Sequence, residues 1–535
     1  MAEIIASAKK KLDSKSVFWL LVVAFIEGST VMAAELLGAK MTAPFFGTTI
    51  YSWAAVLAIT LGGLAAGYYF GGWISSRKPT NIVLSLILVL SGIFMLFMPS
   101  TAKFIMTSVI EIELLWGLII SLMVFLFPLV FLFGMVSPVI IEALVEKVQN
   151  SGKIAGKVYA ISTVGGVVNT LLMGFYIIPN YGIKMPAMAY GLLMLLTAIF
   201  FISTKRKVLF SILVILVSII GISAQNYSSE KKSPLKIIYS SEGLLGQVKI
   251  VDYNIITKSD EILPLRGLLV NNTWQTVINM NDGNSMLDYI YFIRPLLSGF
   301  DKGSNALLIG LGAGALGRDI QSKGHNLKVV ELDSRLEMLA KKYFGLPKET
   351  VVIADDGRHF LRIEKEKYDL IIFDAFLGEN PPWHLLTKES FAEVKALLNP
   401  GGKLIIEFYG LIEGEDGLAT RSVYKTLESI GFEVDVIATA DSNTMERNFI
   451  YVAGDTPMDY KLLDYSGKKY TDKVINNLAD HIIARDEFFK EESYVLTDDL
   501  PILEKMLMKP ALMWRKELNK NFRDRLVATG QPIFY

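Results

Sequence analysis

Hydrophobic residues occur in two rhythms along this chain. Up to residue 226 they form long unbroken runs, at 17–37, 51–75, 81–99, 115–141, 156–179, 184–203 and 207–224. Each is close to the ~20 residues that a helix needs to cross a bilayer. The pattern predicts a transmembrane bundle of about seven helices, an integral multi-pass protein with the lipid bilayer as a partner. The run at 115–141 lies in a nearly continuous apolar stretch, 104–143, broken by Glu111 and Glu113 and, at its far end, Glu142, which fits one long helix or two shorter elements. The first run is too long, and too poor in a small-residue cleavage site, for a removable signal peptide.

Beyond 226 the apolar runs are short and end in turn residues. Gly246–Asp252 and Arg266–Val270 read as strands of a hairpin-rich segment, and Asp288-Tyr289-Ile290-Tyr291 opens a helix. Further on, Leu307–Ile309, Leu327–Val330, Val351–Ile353, Tyr368–Phe373 and Lys403–Glu407 alternate with helix-like segments such as 334–344 and 388–398. That alternation predicts a parallel α/β sheet, with ligands outside the carboxyl ends of its strands. Gly312, Glu331, Asp356 and Asp374 would converge there. Gly310, Gly312 and Gly314 let the backbone pass close to an adenosine, and Glu331 can accept hydrogen bonds from the ribose hydroxyls. The Pro400-Gly401-Gly402 turn before the fifth strand looks like the nucleoside fold of S-adenosylmethionine enzymes. It does not suit a nicotinamide dehydrogenase.

The expected organisation is a transmembrane helical domain at 1–226, a small β-domain at 227–300 and a Rossmann-like catalytic domain at 301–535. A length of 535 residues accommodates this. Net charge is zero and no basic stripe is interleaved with aromatics, which argues against nucleic acid. With no cysteine, disulfides and thiolate metal sites are impossible. The four histidines, His325, His359, His384 and His481, lack metal spacing, so no metal is expected. His384, in Pro381-Pro382-Trp383-His384, either walls the active site or packs a loop.

Within the apolar half, Gly63, Gly67 and Gly71 recur every four residues, a pattern for close helix approach inside the domain or across a dimer. Glu27 and Glu35 are ionisable groups in the first run; Lys40 is an interfacial partner for Glu35, and Glu27 faces a polar cavity or partner. With seven spans, Lys9, Lys10, Lys11 and Lys15 share a side with Arg77, Lys78, Lys147, Lys153, Lys157, Lys205, Arg206 and Lys207. The positive-inside rule then places the amino terminus in the cytoplasm and the catalytic domain outside. A user of S-adenosylmethionine should face the cytoplasm, where that compound is made. A cytoplasmic catalytic domain is the reading adopted, and it conflicts with the helix count.

Several segments resemble the spermidine synthase (polyamine aminopropyltransferase) family. They are the β-segment with Gln275, the run 304–407, and Thr497-Asp498-Asp499-Leu500-Pro501-Ile502-Leu503-Glu504. Ala33-Ala34-Glu35-Leu36-Leu37, Phe46-Gly47-Thr48-Thr49 and the glycine-rich second helix resemble its fused, membrane-bound members. The resemblance implies that Gly310, Gly312 and Gly314 lie under the nucleoside and that Glu331 holds the ribose. Asp356, with Gly357, would contact the adenine. Asp374 would take a proton from the attacking amine, with Gln275 and Tyr289 lining the pocket. It also implies a homodimer, and decarboxylated S-adenosylmethionine or S-adenosylmethionine as co-substrate. A protonated amine is no nucleophile, so a carboxylate within reach must deprotonate it.

Two departures stand out. Family members carry an acid within the glycine loop where this chain has Ala313, which points to S-adenosylmethionine itself as donor. They carry a second acid shortly after the catalytic one, for which only Glu379 can stand in, so the small amine or polyamine acceptor is left open. A hydrophobic or membrane-delivered acceptor would explain the fusion. Two alternatives stand beside aminopropyl-type transfer: a methyltransferase, since the fold serves both chemistries, and a nucleoside-sensing module on a membrane transporter. Asp333 and Asp355 read as helix caps, and Asp319 with Arg318 as a solvated helix face. The segment from Met513 to Leu526 reads as a solvated helix or a contact with lipid headgroups.

Overall fold

The computed structural model describes residues 13–145, 148–201, 207–226, 235–257, 260–376, 380–440, 447–466 and 475–522, and counts and absences refer to these. The chain forms two compact units. One comprises Met1–Ser233, Ser240–Val248 and Asn519–Tyr535, the other Pro234–Tyr239 and Lys249–Leu518.

The first unit is helical: α1 (Ser14–Phe46), α2 (Ile50–Ser75), α3 (Thr80–Ser108), α4 (Leu114–Phe125), α5 (Phe127–Leu144), α6 (Ser151–Leu172), α7 (Ile178–Tyr181), α8 (Lys184–Phe201) and α9 (Lys207–Asn226). Six helices are long and apolar enough to cross a membrane, one of them the continuous Ser151–Tyr181 element. Seven were expected. The run 115–141 is divided at Leu126 into α4 and α5, with Pro128 in the first turn of α5. Proline is tolerated at that position because its missing N–H has no helical partner there. The seventh run is α9, whose apolar stretch Ser211–Gly221 is shorter than the others.

The glycines of α2 serve packing within the unit. A Cβ on Gly67 would stand 2.2 Å from the Phe131 carbonyl oxygen, and one on Gly71 2.7 Å from Met135 Cα. Side chains at these positions would drive α2 off α5. A polar seam joins α1 to α6. Ser162 Oγ donates to buried Glu27 at 2.9 Å, Ser29 Oγ donates to the Gly165 carbonyl, and Asn169 Nδ2 to the Ser29 carbonyl. Glu27 thus has polar company inside the bundle. Lys40, expected beside Glu35, donates to the carbonyls of Gly243 and Leu244 in the same unit.

The second unit carries two sheets. β1 (Leu235–Ser241), β2 (Val248–Ile256), β3 (Ile262–Val270) and β4 (Thr273–Asn279) form a four-stranded sheet in sequence order. Asn271 and Asn272 join β3 to β4 with φ of 48° and 62°, the left-handed pair that a tight hairpin requires. Helix α10 (Tyr289–Leu297) follows, opening where expected.

The larger sheet contains β5 (Asn305–Ile309), β6 (Asn326–Glu331), β7 (Val351–Ala354), β8 (Tyr368–Phe373), β9 (Leu398–Tyr409), β10 (Glu433–Ala438) and β11 (Asn448–Gly454). Its order is β10-β11-β9-β8-β5-β6-β7. The strands β5 to β9 are the five expected, and they pair in parallel. β10 and β11 were not foreseen and pair antiparallel at one edge. The Pro-Gly-Gly turn falls inside β9, in the register break between the pairs Tyr368↔Leu398 and Leu370↔Lys403. Intervening helices are α11 (Ala315–Ser322), α12 (Ser334–Tyr343), α13 (Gly357–Ile363), α14 (Lys388–Leu397) and α15 (Leu418–Ser429). Leu307, Ile371, Leu404 and Phe408 form a core with Phe391 of α14 and Val423 of α15.

Two expected surface features are interior ones. Asp319 forms an ion pair with Arg294 at 2.8 Å, both largely covered, because α10 packs beside α11. Arg515, on the helix Met508–Phe522, is buried and donates to the Asn271 carbonyl and to Thr273 Oγ1. Asp498 of the Thr-Asp-Asp segment meets buried Arg358 at 2.9 Å, and Glu393 meets the same guanidinium at 2.5 Å. That motif therefore fastens the carboxyl-terminal segment to α13.

Candidate active site

The site is assembled from the carboxyl ends of β5, β6 and β8. β5 runs into Gly310, whose φ is 93°. A Cβ there would lie 2.2 Å from the Asp374 carbonyl oxygen, so only glycine lets these two strand ends approach. Gly312, also left-handed, comes up under β4, where a Cβ would stand 3.0 Å from Thr276 Oγ1. The same hydroxyl accepts the Ala313 amide at 3.0 Å. Thr276 thus holds the glycine loop in place, although nothing in its sequence setting marks it. Gly314 is the left-handed residue before α11 and faces Leu346 and Ala340.

Glu331 ends β6 almost buried, with Oε2 accepting the Leu311 amide and Oε1 the Asp333 amide, both at 2.8 Å. Burial pushes its carboxyl up, and the two amides partly oppose this. A carboxylate has about four acceptor positions, so Glu331 can accept more than these two amides. Asp333 caps α12, as expected. At the next strand end the cap is Asp356, not Asp355. Asp356 Oδ1 accepts the Arg358 and His359 amides, and Oδ2 lies 3.1 Å from His384 Nε2. Burial alone would raise the Asp356 carboxyl, but the amides and His384 outweigh it and hold it low. Asp355 instead accepts the Asp356 amide and meets His359 Nδ1. Gly357 packs on Ile309 and Leu385.

Asp374 follows β8 directly. Tyr289, at the start of α10, donates its hydroxyl to both carboxylate oxygens at 3.2 and 3.3 Å. Burial drives the Asp374 carboxyl up to about 6; the tyrosine hydrogen bond opposes that rise and Glu331 adds to it. Such a group is ionised at neutral pH yet basic enough to take a proton. Burial and then the charge of Asp374 raise the Tyr289 hydroxyl well above its ordinary range, so it remains a donor.

Gln275 lies in β4, next to Thr276. The β3–β4 register steps from Leu268↔Thr276 to Leu269↔Trp274, which leaves Gln275 as the bulged residue. Bulges re-aim side chains beside sites. Glu379 lies outside the described residues. Glu407, which closed the fifth apolar run in the sequence without being given a role, lies near the end of β9, buried, and accepts Asn448 Nδ2 at 2.7 Å. Gly310, Gly312, Glu331, Asp374 and Tyr289 are thus tied into one network with Thr276, while Asp356, Gly357 and His384 form a neighbouring group.

No family model matches the chain. A probable polyamine aminopropyl transferase of Bifidobacterium longum is 29% identical over 149 residues, 28% of this chain and 33% of that protein. An N-terminal histidine N-methyltransferase of Emericella nidulans is 35% identical over 135 residues, 24% of this chain and 23% of that protein. A solved spermidine synthase of Thermotoga maritima is 17% identical with a TM-score of 0.38, over 48% of this chain and 88% of that one. The chain spans half or less of the length of these curated relatives. Polyamine aminopropyltransferases recur among them at 30–33% identity over 45–50% of their length, and this part of the chain is similar to the spermidine synthase family.

Proposed function

We propose that this chain is a membrane-bound transferase that moves an aminopropyl-type group from a sulfonium nucleoside to an amine. The observation that carries the reading is Asp374, a carboxyl raised to about 6 by burial, beside a glycine loop and opposite a tyrosine donor. An acceptor arrives as an ammonium ion and gives one proton to Asp374. The freed lone pair forms the N–C bond while the C–S bond breaks, its electron pair leaving on sulfur as methylthioadenosine. The new secondary amine keeps its two remaining protons and leaves as an ammonium ion. Holding the two reactants in line supplies much of the acceleration.

The loop at Gly310 and Gly312 supports an adenosine site, and Glu331 has lone pairs for the ribose hydroxyls. Asp356 and Gly357 would border the adenine, with Gln275, Tyr289 and Glu379 on the acceptor side. The donor is S-adenosylmethionine or its decarboxylated form; buried Ala313, where relatives of this family bear an acid, favours the former. The helical unit, with six helices long and apolar enough to span a bilayer, would anchor a catalytic domain facing the cytoplasm, as a homodimer. Methyl transfer is a second reading, supported by the histidine N-methyltransferase relative.

Mass spectrometry after incubating the purified full chain with either donor and mixed polyamines tests this. Methylthioadenosine, accompanied by an alkylated amine, is the expected product. S-adenosylhomocysteine would establish the methyltransferase instead. Donor binding without either product would favour a nucleoside sensor.

A further inference from the structure

We propose that Glu407 is a positioning residue of the same reaction centre, forming with Asp374 one carboxyl pair that shares a single proton across the ends of β8 and β9. The link to catalysis rests on Asp374 being the base. The juxtaposition itself does not.

Phe373 of β8 is in register with Ile406 of β9. The next residues are Asp374 and Glu407, and partners in a parallel register point to the same face of the sheet. Neighbouring strands lie about 4.8 Å apart. Two carboxyls therefore emerge side by side, Asp374 just past the end of β8 and Glu407 inside β9 near its end. Glu407 is 4% exposed. Its Oε1 takes the Asn448 amide at 2.7 Å, whereas Oε2 is shielded from solvent and has no hydrogen-bond partner among the described residues. An ionised carboxylate with an unfilled, dry oxygen is strongly disfavoured, and a second negative charge beside it makes matters worse.

The ionisable groups facing the pair add no positive charge. They are Tyr289 on α10, which donates to Asp374, and Glu331 on β6, whose charge acts on Asp374. Asn448 on β11 is neutral. Burial and then Asp374 push the Glu407 carboxyl well above the carboxylate range, in keeping with the geometry. The pair accordingly holds one proton and one charge at neutral pH. The proton resides on Glu407, and Asp374 keeps the lone pair that the acceptor's proton needs. After transfer both carboxyls are neutral, and one proton must leave to solvent before the next turnover.

Infrared spectroscopy of the full chain in detergent, titrated from acid to alkaline pH, reads the protonated carboxyl directly and needs no substrate. The wild type should retain a protonated-carboxyl band at neutral pH that Glu407→Gln reduces by one group. Glutamine keeps the acceptor for Asn448 and is uncharged. In Asp374→Asn the same band should persist but disappear at least about one pH unit lower, the coupling expected of two groups that titrate together. An unchanged neutral-pH band in Glu407→Gln would show that Glu407 is ionised and overturn the proposal. So would an unmoved titration in Asp374→Asn, which serves alone if the glutamine variant fails to fold. Failure of the transferase reading appears separately, as absence of methylthioadenosine with these infrared shifts intact.

Discussion

Replacing Asp374 with asparagine should make the protein more stable and nearly inactive at the same time. The two side chains are almost identical in shape, and the asparagine would still accept the Tyr289 hydroxyl through its amide oxygen. What disappears is a charge that the site holds at a cost. The carboxyl rises from an ordinary 3.8 to about 6 on folding, which costs the ionised form about 3 kcal/mol at neutral pH as an upper value. The sign follows from proton binding. Between pH 3.8 and about 6 the folded state holds more protons than the unfolded one, so stability falls as pH rises through that window. The variant lacks this slope. Its thermal midpoint in detergent should exceed wild type at pH 7.5, and the advantage should shrink toward zero near pH 4. Loss of a general base costs about 10²–10⁴ in rate, or about 3–5 kcal/mol, while nucleoside affinity should hold. In the wild type kcat/KM should fall as pH drops through about 6. A variant that is less stable at pH 7.5 and still turns over would refute both the burial argument and the role of base.

The other predictions concern the scaffold of the site. Gly310→Ala forces a Cβ against the Asp374 carbonyl at 2.2 Å in a left-handed conformation. It should abolish nucleoside binding, measured by calorimetry, and destabilise the fold by at least about 1–3 kcal/mol. Arg358→Ala removes the buried guanidinium that Glu393 and Asp498 share and leaves them only the longer contacts of exposed Arg362, at 3.2 and 3.4 Å. Both acids are partly exposed, so the loss should be about 2–3 kcal/mol, below that of a fully buried pair. Limited proteolysis should then cut first near the freed Thr497-Asp498-Asp499 segment.

Local patterns revealed much of this protein because the features concerned are local. A glycine that must turn left-handed, an acid at a strand end and an apolar run of membrane length each leave a mark within a few residues. Gly310, Gly312, Glu331 and Asp374 could be picked out for that reason. The cap at Asp356 could not be told from one at Asp355, because one residue of backbone rotation decides which side chain meets the amides. The break at Leu126 was hidden inside a continuous apolar stretch. Asp319 and Arg515 look like solvent-facing charges until their packing partners are known.

From the sequence alone came the two-part chain, the alternating α/β half and the acids at its strand ends, since these follow from backbone periodicity and side-chain size. Tertiary structure decided which of them meet. Arg358 and Asp498 are 140 residues apart, and Thr276 reaches the glycine loop across 37. Glu407 stands beside Asp374 because β9 lies next to β8 in the parallel order. Strand order is set by how the whole sheet buries its two faces, and no short stretch of residues contains that information.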